Sequence, residues 1–238
     1  MSSGGTADDR AAAFFDVDGT LTNTTIVHYY VYFRRRRMSR LWGIVWNAIY
    51  MVKCVYFLIL DKFDRSLLNV IFYRSYAGLP AAEIKAQAED CDRDLVMPRQ
   101  YEQTAACVQA HHMAQREVVF VTGSIDFTIA PLAKRLGVKS VVAPALLECE
   151  GRFSGELDGA PVGQQEKARR VMIYSSEHGI DLARSYAYGD SIADLPMLEL
   201  VGHPQVVNPD RALAAIAKRR GWPIHKWTTA AESGRTRP

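Results

Sequence analysis

The chain has 238 residues, long enough for one or two domains with a real core. Its composition, 48% hydrophobic and 23% charged, excludes a disordered tail, a collagen-like rod and a small disulfide scaffold. A net charge of +3 is too slight to imply a nucleic-acid partner, and Cys54, Cys91, Cys107 and Cys149 stand far apart with no C-x-x-C pair. That spacing argues against structural zinc and fits reduced thiols in a cytoplasmic protein. The opening MSSGGTADDRAAA has no basic stretch followed by an apolar one, so no signal peptide is expected.

Ala12–Val17 is a short apolar run ending at an acid-Gly turn and predicts a buried strand. Residues 26–78 then differ in character, with nine Lys/Arg against two acids and 13 of the 24 aromatics. The shift ends near Gly78-Leu79-Pro80 and predicts an inserted module. Pro80–Val96 and Pro98–Gln115 predict helices with proline in the first turn. Glu117–Val121 predicts a second buried strand, followed by Thr122-Gly123-Ser124 and a helix ending near Gly137, and Val138–Val142 a third. Leu147–Leu157 predicts a hairpin turning at Glu150-Gly151-Arg152, and Gln164–Gly179 a helix with a glycine C-cap. Arg184–Tyr188 is the fourth strand and ends at Gly189-Asp190. After a further helix come Gln205–Val207 as strand, Asp210–Arg220 as helix and Ile224–Trp227 as strand; residues 229–238 are expected to be disordered. Strands alternating with helices imply an α/β fold, a Rossmann-like, mostly parallel sheet covered by helices on both faces.

Ligands of such sheets sit beyond the carboxyl ends of the strands. Asp16-Val17-Asp18-Gly19-Thr20, Thr122-Gly123-Ser124 and Gly189-Asp190-Ser191 with Asp194 all end strands, and Lys167 lies early in a helix between the last two. Acids brought together repel one another, and a hard cation with oxygen ligands, commonly hydrated Mg²⁺, removes that conflict. His111-His112 is not read as a metal site, because neighbours on a helix face different ways; a solvated helix end is expected there. Asn208-Pro209-Asp210 predicts a helix-capping turn, with a minor site role left open for Asn208.

These four segments, in this order, resemble the motifs of the haloacid dehalogenase superfamily, and most closely its phosphoserine-phosphatase-like branch (subfamily IB). The resemblance implies a catalytic core over residues 10–21 and 113–228, with residues 22–112 as an inserted α-helical cap of the C1 type. It implies a Mg²⁺-dependent phosphatase in which Asp16 is the nucleophile that forms an aspartyl-phosphate and Asp18 is the acid and base. Thr122, Gly123 and Lys167 would grip the phosphoryl oxygens. The metal would be held by Asp16, the Asp18 carbonyl and Asp190, and Asp194 would orient Lys167 or metal waters. Phosphoserine-specific members carry Glu nine residues after the nucleophile and Asn before the last acid, whereas this chain has Thr25 and Ala193.

The cap bears on the phosphate ester that is the substrate. Leu41–Leu60 is apolar around nearly its whole circumference and follows the basic stretch Arg34–Arg40. Both ends of the insert must return to one core, which a single membrane crossing forbids, so an in-plane or re-entrant segment is expected. The favoured expectation is contact with a membrane surface through Arg34–Leu60, at the inner face of the membrane, and a lipid-type phosphate. In character the cap is similar to that of phosphatidylglycerophosphate phosphatases. The alternatives are a soluble enzyme for phosphoserine or another small phosphate with the apolar run buried in a homodimer, and a non-catalytic membrane adaptor. A nucleic-acid partner is not expected, because the cations precede one long apolar run and do not alternate with aromatics.

Overall fold

The tetrapeptide Ala12–Phe15 (β1) shows why the sheet is central: all four side chains are buried, alternating between two cores. Ala13 and Phe15 join one apolar cluster, and Ala12 and Phe14 the other. A strand buried on both faces reads as a continuous apolar run, which is the parallel-sheet signature. The structure, a computed structural model, describes residues 10–39, Gly43 and residues 71–234. The apolar run Leu41–Leu60 lies outside the described residues, apart from Gly43.

After β1 come α1 (Ile26–Arg36), α2 (Ala81–Ala86), α3 (Thr104–Met113), β2 (Glu117–Val121), α4 (Asp126–Arg135) and β3 (Ser140–Val142). The hairpin β4 (Leu146–Cys149) and β5 (Arg152–Leu157) follows, then α5 (Gln164–His178), β6 (Tyr186–Gly189), β7 (His203–Val207), α6 (Arg211–Arg220) and β8 (Ile224–His225). Six strands form one sheet in the order β3-β2-β1-β6-β7-β8, and every neighbouring pair is parallel. Val108 of α3 and Ile129 and Leu132 of α4 pack on the face carrying Phe15; Val171 of α5 and Leu213 and Ala217 of α6 pack on the face carrying Phe14. The α/β expectation therefore holds.

Residues between β1 and β2 share the Phe15 core. Tyr29, Tyr30 and Phe33 of α1 and Phe72, Tyr73 and Tyr76 are buried there, and the rings of Tyr30, Phe72, Tyr73 and Tyr76 meet edge-on or tilted. The hairpin closes on its end: Gly78 N–H donates to the Phe153 carbonyl (2.8 Å), Phe153 N–H to the Leu79 carbonyl (2.9 Å), and Phe153 stacks on Phe127. The basic stretch is partly paired within the insert. Arg36 meets Asp90 and Asp94, and Arg37 meets Glu83.

Four expectations are corrected. The Pro80–Val96 helix is broken into α2, a turn at Ala88–Cys91 and a π-helical turn at Asp92–Val96. Pro98 cannot donate the bond that an α-helix running through it needs, and the buried Asp92 accepts both arms of the Arg135 guanidinium (2.9 Å each). Pro98–Gln115 opens on a 3-10 turn at Met97–Arg99 and becomes α-helical only at Thr104. The residues before it bind the loop after β1, with Tyr101 N–H donating to the Leu21 carbonyl (3.1 Å) and Gln100 bridging to Thr22. His111 is buried, not solvated; its Nε2 bonds the Tyr188 hydroxyl (2.9 Å), while His112 reaches the Leu136 carbonyl (3.3 Å). Part of the expected disordered tail is ordered: Thr229 and Glu232 form a capping box over the helical turn Ala230–Ser233. Residues 235–238 lie outside the described residues.

Candidate active site

β1, β2 and β6 end side by side at one sheet edge, so the polar residues that follow them converge. Asp16 leaves β1 with its N–H donating to the Tyr188 carbonyl of β6 (3.0 Å), which fixes where its side chain starts. Lys167, in the first turns of α5, sends its Nζ to Asp16 Oδ1 (2.5 Å) and Asp194 Oδ1 (2.6 Å). All three side chains are buried. Asp194 is held from its other oxygen: Oδ2 accepts from the N–H groups of Asp190 and Ser191 and from the Ser191 hydroxyl, each at 3.2 Å.

These contacts set the electrostatics. Burial pushes the Asp16 carboxyl up to about 6, against the pull of Lys167 and with the repulsion of Asp194 and Asp18 added. Burial opposes the charge on Lys167, but Asp16 and Asp194 outweigh it and hold the ammonium charged.

Asp190 lies beside this pair. The Thr20 hydroxyl is within reach of Asp16 Oδ2 (3.2 Å) and Asp190 Oδ1 (3.0 Å) and bridges them. Oxygens of Asp16, Asp190 and Asp194 lie within 4.8 Å of one another. The Gly19 backbone closes on the same carboxylate: φ is +92°, and a Cβ there would stand 2.3 Å from Asp190 Oδ2. Hard oxygen donors and a surplus of carboxylates over the one buried ammonium fit a divalent cation such as Mg²⁺. Since Asp194 is committed to Lys167 and three donors, Asp16 and Asp190 are the carboxylates left for a cation.

Asp18, two residues past Asp16, is partly buried and gripped at both oxygens. Thr24 donates to Oδ1 (2.6 Å) and Ser124 to Oδ2 (2.5 Å). Thr122 is fully buried at the end of β2, and its Oγ1 accepts the Ser124 N–H (3.0 Å). Gly123 is half-buried between them, its carbonyl accepting from the Tyr73 hydroxyl (2.5 Å).

The structure thus brings Asp16, Asp18, Thr122, Gly123, Lys167, Asp190 and Asp194 to one edge. Asn208, by contrast, spends its amide on Trp227, donating to the carbonyl and accepting from the N–H (3.0 Å each). Asp210 is the expected cap, accepting from Leu213 N–H (2.8 Å). Sequence reasoning assigned no role to Thr20, Thr24, Ser124, Tyr29 or Tyr73. Thr20 and Ser124 sit inside or beside the motifs; Tyr29 and Tyr73 carry no local signal.

The model of the haloacid dehalogenase-like hydrolase family matches residues 13–199. A probable phosphatase of Mycobacterium tuberculosis is 33% identical over 230 residues, spanning 93% of this chain and 77% of that protein. A phosphoserine phosphatase of the same organism is 29% identical over 232 residues, covering 96% and 74% of the two chains. The solved phospho-aspartyl intermediate analogue of a phosphoserine phosphatase superposes with a TM-score of 0.67 at 16% identity, over 94% of this chain and 96% of that one, a likeness of fold.

Proposed function

The chain belongs to the haloacid dehalogenase-like hydrolase family and is a phosphatase of it; on that premise we propose that Asp16 attacks the phosphorus of a phosphate monoester and forms an aspartyl-phosphate. The observation that carries this reading is the buried Lys167 ammonium between Asp16 and Asp194, with Asp190 alongside. In the first step the Asp16 Oδ–P bond forms, the P–O ester bond breaks, and Asp18 gives its proton to the leaving oxygen. In the second, water attacks phosphorus, Asp18 takes the proton, and inorganic phosphate leaves as Asp16 is regenerated. Thr122, the Gly123 N–H and Lys167 bind the phosphoryl oxygens as charge develops. Asp194 holds Lys167 in place. Asp16, Asp190 and the Asp18 backbone carbonyl would hold Mg²⁺, which when bound offsets phosphate charge. Residues 10–21 and 113–228 form the catalytic core in this reading, and residues 22–112 the cap that selects the substrate.

Asp16→Asn removes the nucleophile with little change of shape. Phosphate release from p-nitrophenyl phosphate with Mg²⁺ should vanish while the unfolding temperature stays near that of the parent; retained turnover refutes the assignment.

For the substrate, the run Leu41–Leu60 behind Arg34–Arg40 supports a lipid-type phosphate met at the inner membrane face. No helix among the described residues is long and apolar enough to cross a membrane. A second reading is a small soluble phosphate such as phosphoserine, with the apolar run covered by a second copy. The pairing of Arg36 and Arg37 inside the insert and the phosphoserine phosphatase relative favour it. Flotation with anionic liposomes, run beside phosphate release from phosphatidate and phosphoserine, separates them. Flotation with preference for phosphatidate supports the first; a non-floating dimer that prefers phosphoserine supports the second.

A further inference from the structure

The Asp18 carboxylate is partly buried and held at both oxygens. Thr24 Oγ1 donates to one oxygen at 2.6 Å and Ser124 Oγ to the other at 2.5 Å. The donors come from opposite sides: Thr24 from the loop after β1, Ser124 from the end of β2. Two hydrogen bonds, one at each oxygen, restrict both side-chain torsions.

Each donor is itself buttressed. Thr24 is buried, and its hydroxyl also meets those of Thr22 (2.5 Å) and Tyr29 (3.1 Å). The peptide joining Gly123 to Ser124 is pinned at both ends. Its N–H donates to Thr122 Oγ1 (3.0 Å), and its carbonyl accepts from the buried Tyr73 hydroxyl (2.5 Å). In this reading Tyr29 and Tyr73 both belong to the inserted module; Tyr29 reaches the acid through Thr24, and Tyr73 through the Gly123–Ser124 peptide.

We propose that Thr24 and Ser124 are positioning residues that aim Asp18 at the leaving oxygen, and that Tyr73 holds Ser124 for this task from the inserted module. The inference rests on the phosphatase reading above and concerns the same site. A carboxylate oxygen accepts more than one hydrogen bond. With one direction at each oxygen occupied by a hydroxyl, the direction left for a mobile proton is narrowed. Ser124 also couples two jobs, since the peptide that carries it orients the Thr122 hydroxyl proposed to grip phosphate.

The test compares two esters in the full chain with Mg²⁺, through kcat/KM, which reports the step that expels the leaving oxygen. An alkyl phosphate needs a proton on that oxygen; p-nitrophenyl phosphate does not. Ser124→Ala and Thr24→Val should each lower kcat/KM for the alkyl ester about 10- to 100-fold, a partial loss of the roughly 100- to 10,000-fold that a positioned acid supplies, and lower it several-fold less for the aryl ester. Thr24→Ser, which keeps the hydroxyl, should recover most of the loss. Tyr73→Phe should give the same ester-selective pattern, smaller. Equal losses on both esters, or none, overturn the inference; should Ser124→Ala fail to fold, Tyr73→Phe and the Thr24 pair carry the same comparison. A parent chain silent on every ester sinks the phosphatase reading itself, whereas an active parent, a silent Asp16→Asn and no ester selectivity sink only this proposal.

Discussion

The molecule contains two sets of ion pairs that look alike on a list of distances and differ in kind. Lys167 with Asp16 and Asp194 sits at the sheet edge, its side chain 7% exposed and that of Asp194 1%. Arg36 with Asp90 and Asp94 lies on the outside of the insert, with the Arg36 and Asp94 side chains each 41% exposed. Water screens the second set, whose net worth is small. The first has lost its water, so each charge there depends on its partners, and removing one leaves the others stranded. An arrangement so costly to isolate persists where chemistry uses it, and this one contains the proposed nucleophile, Asp16.

The sharpest way to break the contrast is Lys167→Met. It leaves Asp16 and Asp194 close together without a cation between them, and should cost about 3–5 kcal/mol of stability. In a chain of this size that lowers the unfolding temperature by roughly 6–20 °C, readable by calorimetry without metal. Mg²⁺ should recover part of the loss if Asp16 holds it. Gly19→Ala acts on the same edge through the backbone. The new Cβ meets the Asp190 carboxylate at 2.3 Å in a left-handed conformation, so turnover should fall by about 100-fold, as for a misplaced group, with a higher Mg²⁺ requirement in a metal titration.

His111 is a buried group of a third sort, kept neutral. Burial chiefly, with Arg116 and His112, lowers its pKa to about 4. Because the folded value lies below the unfolded one, the unfolded chain binds the extra proton first. Stability is therefore intact above about pH 6.5 and declines as pH falls toward 4. Between pH 6.5 and 5 the decline attributable to His111 should be roughly 1.5 kcal/mol. Denaturant titrations of the parent and His111→Gln should differ by that amount in their pH slopes, and parallel slopes would contradict the assignment. The smallest effect belongs to the exposed set: Arg36→Ala should change stability by less than about 1 kcal/mol and turnover not at all, with salt erasing the difference.

How much was legible follows the range of the physics. The β2 run Glu117–Val121 was read with its ends correct, because an apolar run between polar punctuation is a local signal. The same holds for the Gly179 C-cap, where φ is +62°, and for the Asp210 N-cap. The start of the Pro98–Gln115 helix is not legible because Gln100 and Tyr101 are claimed by the loop after β1, about 80 residues away in sequence, and Glu102 and Gln103 by Thr228. His111 was misplaced for a similar reason: its partner Tyr188 lies 77 residues on. At the chain end composition points to disorder, although Thr229-Ala230-Ala231-Glu232 spells a capping box.

By itself the sequence determined the parallel α/β framework and which residues stand at the strand ends, since strand period, turn chemistry and the order of the motifs are all local properties. Only the tertiary structure decided which oxygen of Asp16 meets Lys167, that Asp194 spends itself on Lys167 and three donors, and that Thr24 and Ser124 hold Asp18. Those choices come from burial: once water is excluded from the sheet edge, every charge and hydroxyl there must find its partner among residues that the chain itself keeps far apart.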